Sequence, residues 1–421
     1  MGISVDFRQN RFVQIFIAMV TMMMISVYEY TFTLFEQPIG KYYHWSEPGV
    51  AAIFTIYMVV ESFAMMLGGW LSDRYGPRWV ATIGGVLSGA GWIAAAHVSS
   101  LGLLYIVYAV GSIGPGFVYA ASVGTTVKWF PVSGRTRGLA MGFVTGAFGA
   151  GSALFIPRIA KIIHHAPGGF IHAFQMFGIV QLLVIAVVAQ LMASPTSVGR
   201  VVSAAESAER QFTPKTMLRT RQFWLLWIIF VVVVGAGQMT VAHLASVGAS
   251  FKIAAATMVG IIATSRIFNG LGRIVIGGLS DRIGRERSMA LFFSLMALCL
   301  YGSTMARHNP MWFGVLSVAT LFFWGPIFTL VPATIADYFG AHNASYNYGV
   351  MSTGKALGGL YAGYVSGLLF VYLHGWATVL KVNAVLVLAG ALIAIVLKSP
   401  QRRVNSAAVS ADGPPMPEVE G

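Results

Sequence analysis

Along the chain, runs of roughly twenty apolar residues, the length that crosses a hydrocarbon core as an α-helix, alternate with short polar turns. The pattern predicts such spans at about 12–36, 48–72, 79–97, 101–126, 138–160 and 170–193. Six more follow at about 222–246, 254–280, 288–306, 311–335, 346–372 and 376–397. Between the two sets lies a polar segment, SPTSVGRVVSAAESAERQFTPKTMLRTR, at 194–221. Beyond the last span the chain turns rich in Pro, Ser and Ala, a composition that predicts disorder. The expected organisation is therefore a six-helix bundle over 1–193, a linker over 194–221, a second bundle over 222–397 and a tail over 398–421. The fold class is an all-α membrane protein of twelve transmembrane helices in two pseudo-symmetric six-helix bundles.

The two sets are related in sequence. GGWLSDRYGPR, at Gly68–Arg78, returns as GGLSDRIGRER, at Gly277–Arg287, each time after the second span of its set. A charged turn written twice at matched positions marks an internal duplication. Parallel halves about an axis along the membrane normal are one standard layout for such chains. Glycine is abundant, 48 residues, and Gly359, Gly363 and Gly367 recur every fourth residue on one helix face. Small residues at that spacing let helices approach closely, as static packing or as a sliding interface.

Composition excludes the soluble alternatives. The chain is 57% hydrophobic and only 10% charged, with a mean hydropathy of +0.73. Nothing in it alternates as a membrane barrel does. The net charge of +13 comes from Lys and Arg gathered in the turns on one side of the predicted spans. Retention of basic residues in the cytoplasm predicts a multi-pass protein of the cell (inner) membrane with both termini cytoplasmic. The basic residues form no folded patch with interleaved aromatics, so no nucleic-acid partner is expected. One cysteine, Cys299, allows no disulfide, zinc site or thiol pair within the chain. The sequence offers no metal-ligand cluster, no recognisable Ser-His-Asp set and no GxxxxGK[ST] loop. Neither an enzyme nor a nucleotide-driven pump is expected, and no cofactor. The first apolar run is too long for the core of a cleaved signal, and it reads as a spanning helix.

The form G-x-L-S-D-R-x-G, at Gly69–Gly76 and Gly277–Gly284, resembles the signature loop of the major facilitator superfamily. The resemblance implies that Asp73, Arg74, Asp281 and Arg282, with Arg78 beside them, latch the two halves together on the cytoplasmic side. A narrower resemblance, to the oxalate:formate antiporter family, rests on TLFEQPIG in the first span, KWFP at Lys128–Pro131, FFWGPIF at Phe322–Phe328 and NYGVMSTGKALGG at Asn347–Gly359.

The informative residues are charges that no loop can claim: Glu29, Glu61, Arg266, Arg273 and Lys355. A charge at a helix centre costs about 2.5–3.5 kcal/mol on insertion scales, so two arginines in one span will not face lipid. Arg266 and Arg273 share a helix face about 10 Å apart along the axis, with Asn269 between them. Helix one carries a stripe of Ser26, Glu29 and Thr33, and helix eleven carries Ser352 and Lys355, so several helices aim polar groups at a common interior. For Arg273 the alternative is snorkelling to the nearby loop and pairing with an acid there. For Glu29 and Glu61, structural pairing with a neighbouring arginine stands beside a transport role. His243 reads as a packed or hydrogen-bonded histidine and Gln238 as a helix–helix hydrogen bond.

The narrower resemblance implies a carboxylate site made by an arginine of helix eight and a lysine of helix eleven, here Arg273 and Lys355. A guanidinium grips a carboxylate in a two-pronged fork, while an ammonium acts as a point charge. By position Phe35, Tyr119, Phe148, Trp324 and Phe328 would line the site, with a plain core role the heavier reading for Phe35 and Phe148. Where that family has tyrosines this chain has Phe35 and Phe328. Ser352 replaces a tryptophan, which predicts a larger cavity beside Lys355. Glu29 and Glu61 replace amides, and Arg266 replaces an asparagine. The five charges sum to one positive, a balance suited to a single carboxylate. The expectation is a secondary carrier of small organic anions working by alternating access, taking up a monocarboxylate with a proton on Glu61 or Glu29. Exchange of the oxalate:formate type is the alternative, and an anion-binding membrane sensor is the alternative of another class. The partners expected are the anion, protons and the bilayer, around a monomer.

Overall fold

A computed structural model of the chain describes residues 7–130, 136–165, 168–195 and 211–400. Most of the polar linker and the tail from 401 onward, for which disorder is expected, lie outside the described residues.

Helices account for the fold because backbone groups in a hydrocarbon core must bond within their own segment. We number twelve of them. In the first half they are α1 (Arg11–Tyr30, continued after a break by Thr33–Tyr43), α2 (Glu47–Tyr75) and α3 (Pro77–Ala95), then α4 (Leu101–Trp129), α5 (Arg137–Gly151, continued by Ile156–His165) and α6 (Gly169–Val188). In the second they are α7 (Arg221–Ser250), α8 (Ala255–Ile283), α9 (Arg285–Met305) and α10 (Pro310–Trp324, continued by Ile327–Phe339). The broken helix α11 runs as Ala344–Met351, Thr353–Leu360 and Ser366–Tyr372, and α12 is Trp376–Val396. Ten of these helical stretches are long and apolar enough to cross a membrane, and α3 and α11 complete the set.

Helix ends follow local chemistry. Asn10 Oδ1 accepts the N–H of Phe12 at the start of α1, and Thr220 Oγ1 accepts that of Phe223 at the start of α7. Such caps satisfy donors that the helix leaves open. The glycine that closes each copy of the repeated turn has a decisive backbone role. Gly76 has φ 90° and ψ 157°, and Gly284 has φ 94° and ψ 155°. Side chains rarely tolerate that region, and here one residue separates α2 from α3 and α8 from α9. The duplication read from sequence is thus repeated in backbone geometry.

The halves meet along two seams, α5 against α8 and α2 against α11. At the end carrying the repeated turns, here the basic end, both seams are tight. A methyl group at Gly138 would strike the carbonyl of Gly277, and one at Gly69 would strike that of Ser345. Moving away along the second seam, added carbons would lie 2.5 Å from Met65 at Gly349, 3.1 Å from Met58 at Gly359 and 3.4 Å from Thr55 at Gly363. At Gly367 and, on α8, at Gly260 nothing lies within 4 Å. The seams are closed at the basic end and splay toward the other. Of the three glycines spaced by four, only Gly359 is in tight contact.

Candidate functional site

Glu61 is the middle residue of α2, and its carboxylate crosses the second seam. Lys355 Nζ on α11 lies 2.6 Å from Glu61 Oε2 and 2.9 Å from Glu29 Oε2 on α1. Tyr57 donates a long bond of 3.4 Å to the same oxygen of Glu29. The anticipated pairing of these acids with an arginine is therefore replaced by pairing with lysine, from the opposite half. Arg273 and Glu61 are 0% exposed and Lys355 and Glu29 3%, so these four charges are shut away together.

Arg273 has neutral partners. Its Nη1 donates to Thr145 O at 2.9 Å, and its Nη2 to Asn269 Oδ1 at 3.1 Å and to Tyr30 Oη at 3.3 Å. Its Nε has no hydrogen-bond partner, and no carboxylate pairs with it among the described residues. The snorkelling alternative for Arg273 is excluded by these contacts. Asn269 also donates to Leu321 O at 3.1 Å, so it fixes the guanidinium by bridging α8 to α10. The guanidinium carbon sits 4.8 Å from the centre of Phe328 and 6.0 Å from that of Phe148. Lys355 Nζ lies 5.8 Å from the same Phe148 ring and 6.0 Å from Tyr119. Phe148 thus stands between the two cations, where the electron-rich ring face is favourable to both. Of the two rings given a plain core role, Phe35 keeps it, stacked on Phe174 at 4.3 Å, while Phe148 belongs to the charged site.

Other candidates take different places. Arg266 lies over the Tyr30 ring at 5.1 Å and is only partly buried, so it sits outside the closed quartet. Ser352 is fully buried beside Lys355. Its hydroxyl donates to Ser62 O at 3.0 Å and Gly349 O at 2.6 Å, tying α11 to α2. Trp324 is fully buried against Phe328, with its indole nitrogen facing Gly237 of α7, and so packs within its own half. Tyr119 is buried with its hydroxyl unpartnered among the described residues. His243 bonds to Ala362 O at 3.0 Å and packs on Trp376. Gln238 Nε2 is buried without a partner among the described residues, so the helix–helix bond expected of it is missing there. Tyr30, Tyr57 and Thr145 escaped the sequence reading, since uncharged residues in apolar helices carry no mark of their orientation.

The repeated turns carry a second, separate constellation. Asp73 accepts the backbone N–H of Tyr346, in the first turn of α11, at 2.8 Å and Lys128 Nζ at 2.7 Å. Asp281 accepts the N–H groups of Gly138 and Leu139, in the first turn of α5, at 2.8 and 2.9 Å. Each aspartate thus caps a helix of the opposite half, where open donors and the helix dipole favour an anion. Asp337 bridges Arg137 of α5 at 2.6 Å and Arg285 of α9 at 2.9 Å. The bases expected in this latch are elsewhere. Arg74 lies over Trp70 and Tyr75, Arg78 donates to Gln190 at 2.9 Å within its own half, and Arg282 is exposed. The reason is helical geometry: Asp73 and Asp281 face the seam, and the residue that follows each is turned away by about 100°.

The major facilitator superfamily model matches residues 12–363 and 256–419. The chain belongs to the major facilitator superfamily. It is a multi-pass membrane transporter and not an enzyme. It is 31% identical over 386 residues to the oxalate:formate antiporter of Oxalobacter formigenes, covering 91% of this chain and 90% of that protein. It is 23% identical to monocarboxylate transporter 13 of Bos taurus, covering 86% and 82% respectively. Among solved superfamily structures, the proton:xylose symporter XylE aligns with a TM-score of 0.74 at 13% identity, over 93% of this chain and 97% of that one. That likeness speaks to the fold.

Proposed function

We propose that the protein is a secondary carrier of small organic anions, taking up a monocarboxylate together with one proton by alternating access. The halves 1–193 and 222–397 rock about the buried charges, and the basic end faces the cytoplasm of the cell membrane, both termini included. Asp73 and Asp281 hold that end closed. The observation that carries the reading is the charge balance of the buried quartet. Arg273 and Lys355 oppose Glu29 and Glu61, so the sum is zero. A buried uncompensated charge is costly, so a monocarboxylate that enters restores neutrality by bringing one proton. Arg266 forms no ion pair with Glu29 or Glu61 among the described residues and is not counted in this sum. Among the described residues Arg273 has an unpartnered Nε and no acid competitor, which makes it the first grip for the carboxylate. The kinship with the oxalate:formate antiporter and with monocarboxylate transporter 13 supports the substrate class.

Uptake into proteoliposomes of labelled formate, acetate, lactate, pyruvate, benzoate and oxalate, with and without an inward proton gradient, tests the reading. A monocarboxylate driven by the proton gradient is the expected outcome. Oxalate exchanging for formate with no response to the gradient would make the protein an exchanger of the relative's kind.

A further inference from the structure

We infer that Glu29 and Glu61 act as built-in counter-ions that let the unloaded carrier close and return, so that the protein carries out net transport without needing a second anion for the way back. The inference rests on the carboxylate-transport reading and adds which steps the cycle can take alone.

The argument starts from which half owns which charge. Glu29 and Glu61 stand on α1 and α2, and Lys355 stands on α11, so both ion pairs span the seam between the halves. An alternating-access carrier must bring that seam together in every passage. Were α1 and α2 to present amides, closure would bury Lys355 and Arg273 with two positive charges and nothing opposite. Burial of an unpaired charge is strongly disfavoured, so closure would wait for an anion to fill the gap. A carrier so built moves only when loaded, and it exchanges. Here the chain itself brings two carboxylates to the ammonium, and the closed quartet is neutral without any added ion.

The surrounding groups leave that balance intact. Arg273 is held by Thr145, Asn269 and Tyr30, all uncharged, and Tyr57 gives Glu29 a neutral donor. Tyr119 and Phe148 present ring faces to Lys355. Arg266, half-buried over the Tyr30 ring, acts on Glu29 only at a distance and forms no ion pair with it among the described residues. The two glutamates are not equivalent. Glu29 Oε2 is shared between Lys355 and Tyr57, whereas Glu61 has one oxygen on Lys355 and one, Oε1, with no partner among the described residues. Glu61 therefore has a free oxygen for a proton when the substrate carboxylate competes for Lys355, while Glu29 keeps the ammonium paired.

Two fluxes through the same reconstituted full-length protein separate the proposal from the reading beneath it. Counterflow, in which labelled acid exchanges for unlabelled acid, needs only loaded passages, whereas net uptake into acid-free vesicles needs the unloaded return. The probe is whichever of formate, acetate, lactate, pyruvate or benzoate gives the fastest counterflow in the unaltered protein. Glu29→Gln/Glu61→Gln should lower both fluxes, because its site closes on two unpaired cations when unloaded and still on one when a monocarboxylate is bound. Glu29→Asp/Glu61→Asp should retain both fluxes. Each single variant, Glu29→Gln or Glu61→Gln, should lower the ratio of net uptake to counterflow at least ~10-fold, because its unloaded site strands one cation whereas a bound monocarboxylate makes the loaded site neutral; this keeps the test open should the double variant fail to fold. No counterflow with any acid in the unaltered protein removes the transport reading itself. Counterflow without net uptake in the unaltered protein, or an unchanged flux ratio in both single variants, overturns the inference alone.

Discussion

Lys355 and Glu61 lie 294 positions apart in the chain, yet their charged atoms are 2.6 Å apart at the seam between the two halves. The lysine of the expected anion site is thus already held by acids, and the arginine is the cation left to neutral partners. Four consequences can be measured.

Uptake should rise as the outer medium is acidified, because the entering carboxylate adds a negative charge that a proton cancels. Glu61 faces Lys355 on α11, Glu29 on α1 and Tyr57 on its own helix, with Tyr119 and Tyr348 in electrostatic range. Glu61→Gln should flatten the pH profile of proteoliposome uptake. A profile unchanged in both Glu61→Gln and Glu29→Gln would remove the proton site.

Arg273→Lys keeps the charge and loses the fork that bonds Thr145, Asn269 and Tyr30. A hydrogen bond to a charged group is worth about 1.5–3 kcal/mol, so substrate affinity should fall ~10- to ~150-fold. The thermal shift of purified protein with the transported acid should largely vanish, while membrane insertion persists.

Asp73→Asn and Asp281→Asn each remove an anionic cap from a helix of the other half. A lost cap costs about 1–2 kcal/mol, which moves the population toward opening at the basic end ~5- to ~30-fold. Spin labels on the α5 and α8 ends, in a Cys299→Ser background, should report longer distances. Unchanged distances in both variants would assign the closure to Asp337 and its arginines instead.

Gly138→Val should abolish uptake, because the new side chain meets the Gly277 carbonyl and the Arg285 guanidinium where the seam is tightest. Gly367→Ala meets nothing within 4 Å and should leave uptake unchanged. A functional Gly138→Val carrier would show that the halves tolerate a wider crossing.

The repeated turn shows how far local chemistry was readable. Its glycine, between two apolar runs, announces a sharp connection, and Gly76 and Gly284 adopt nearly the same backbone angles. Its arginines do not join the latch that the superfamily resemblance implies, because the aspartates bond backbone donors across the seam. Ser352 shows the same limit, since a small residue beside Lys355 gives no sign that its hydroxyl bonds α2.

What the sequence by itself determined is the number of spans, the duplication and the presence of charges that cannot face lipid. Each follows from a local rule: a bilayer demands internally bonded segments of fixed length, and an ionised side chain in hydrocarbon needs shelter. Only the tertiary structure decided which charges share a shelter. Glu29, Glu61 and Lys355 meet because α1, α2 and α11 cross at one depth with those faces turned inward, and Phe148 stands between the cations because α5 packs on α8. Rotation and depth at a crossing depend on close fit between distant helices. That fit is a property of both surfaces together, so neither segment records it alone.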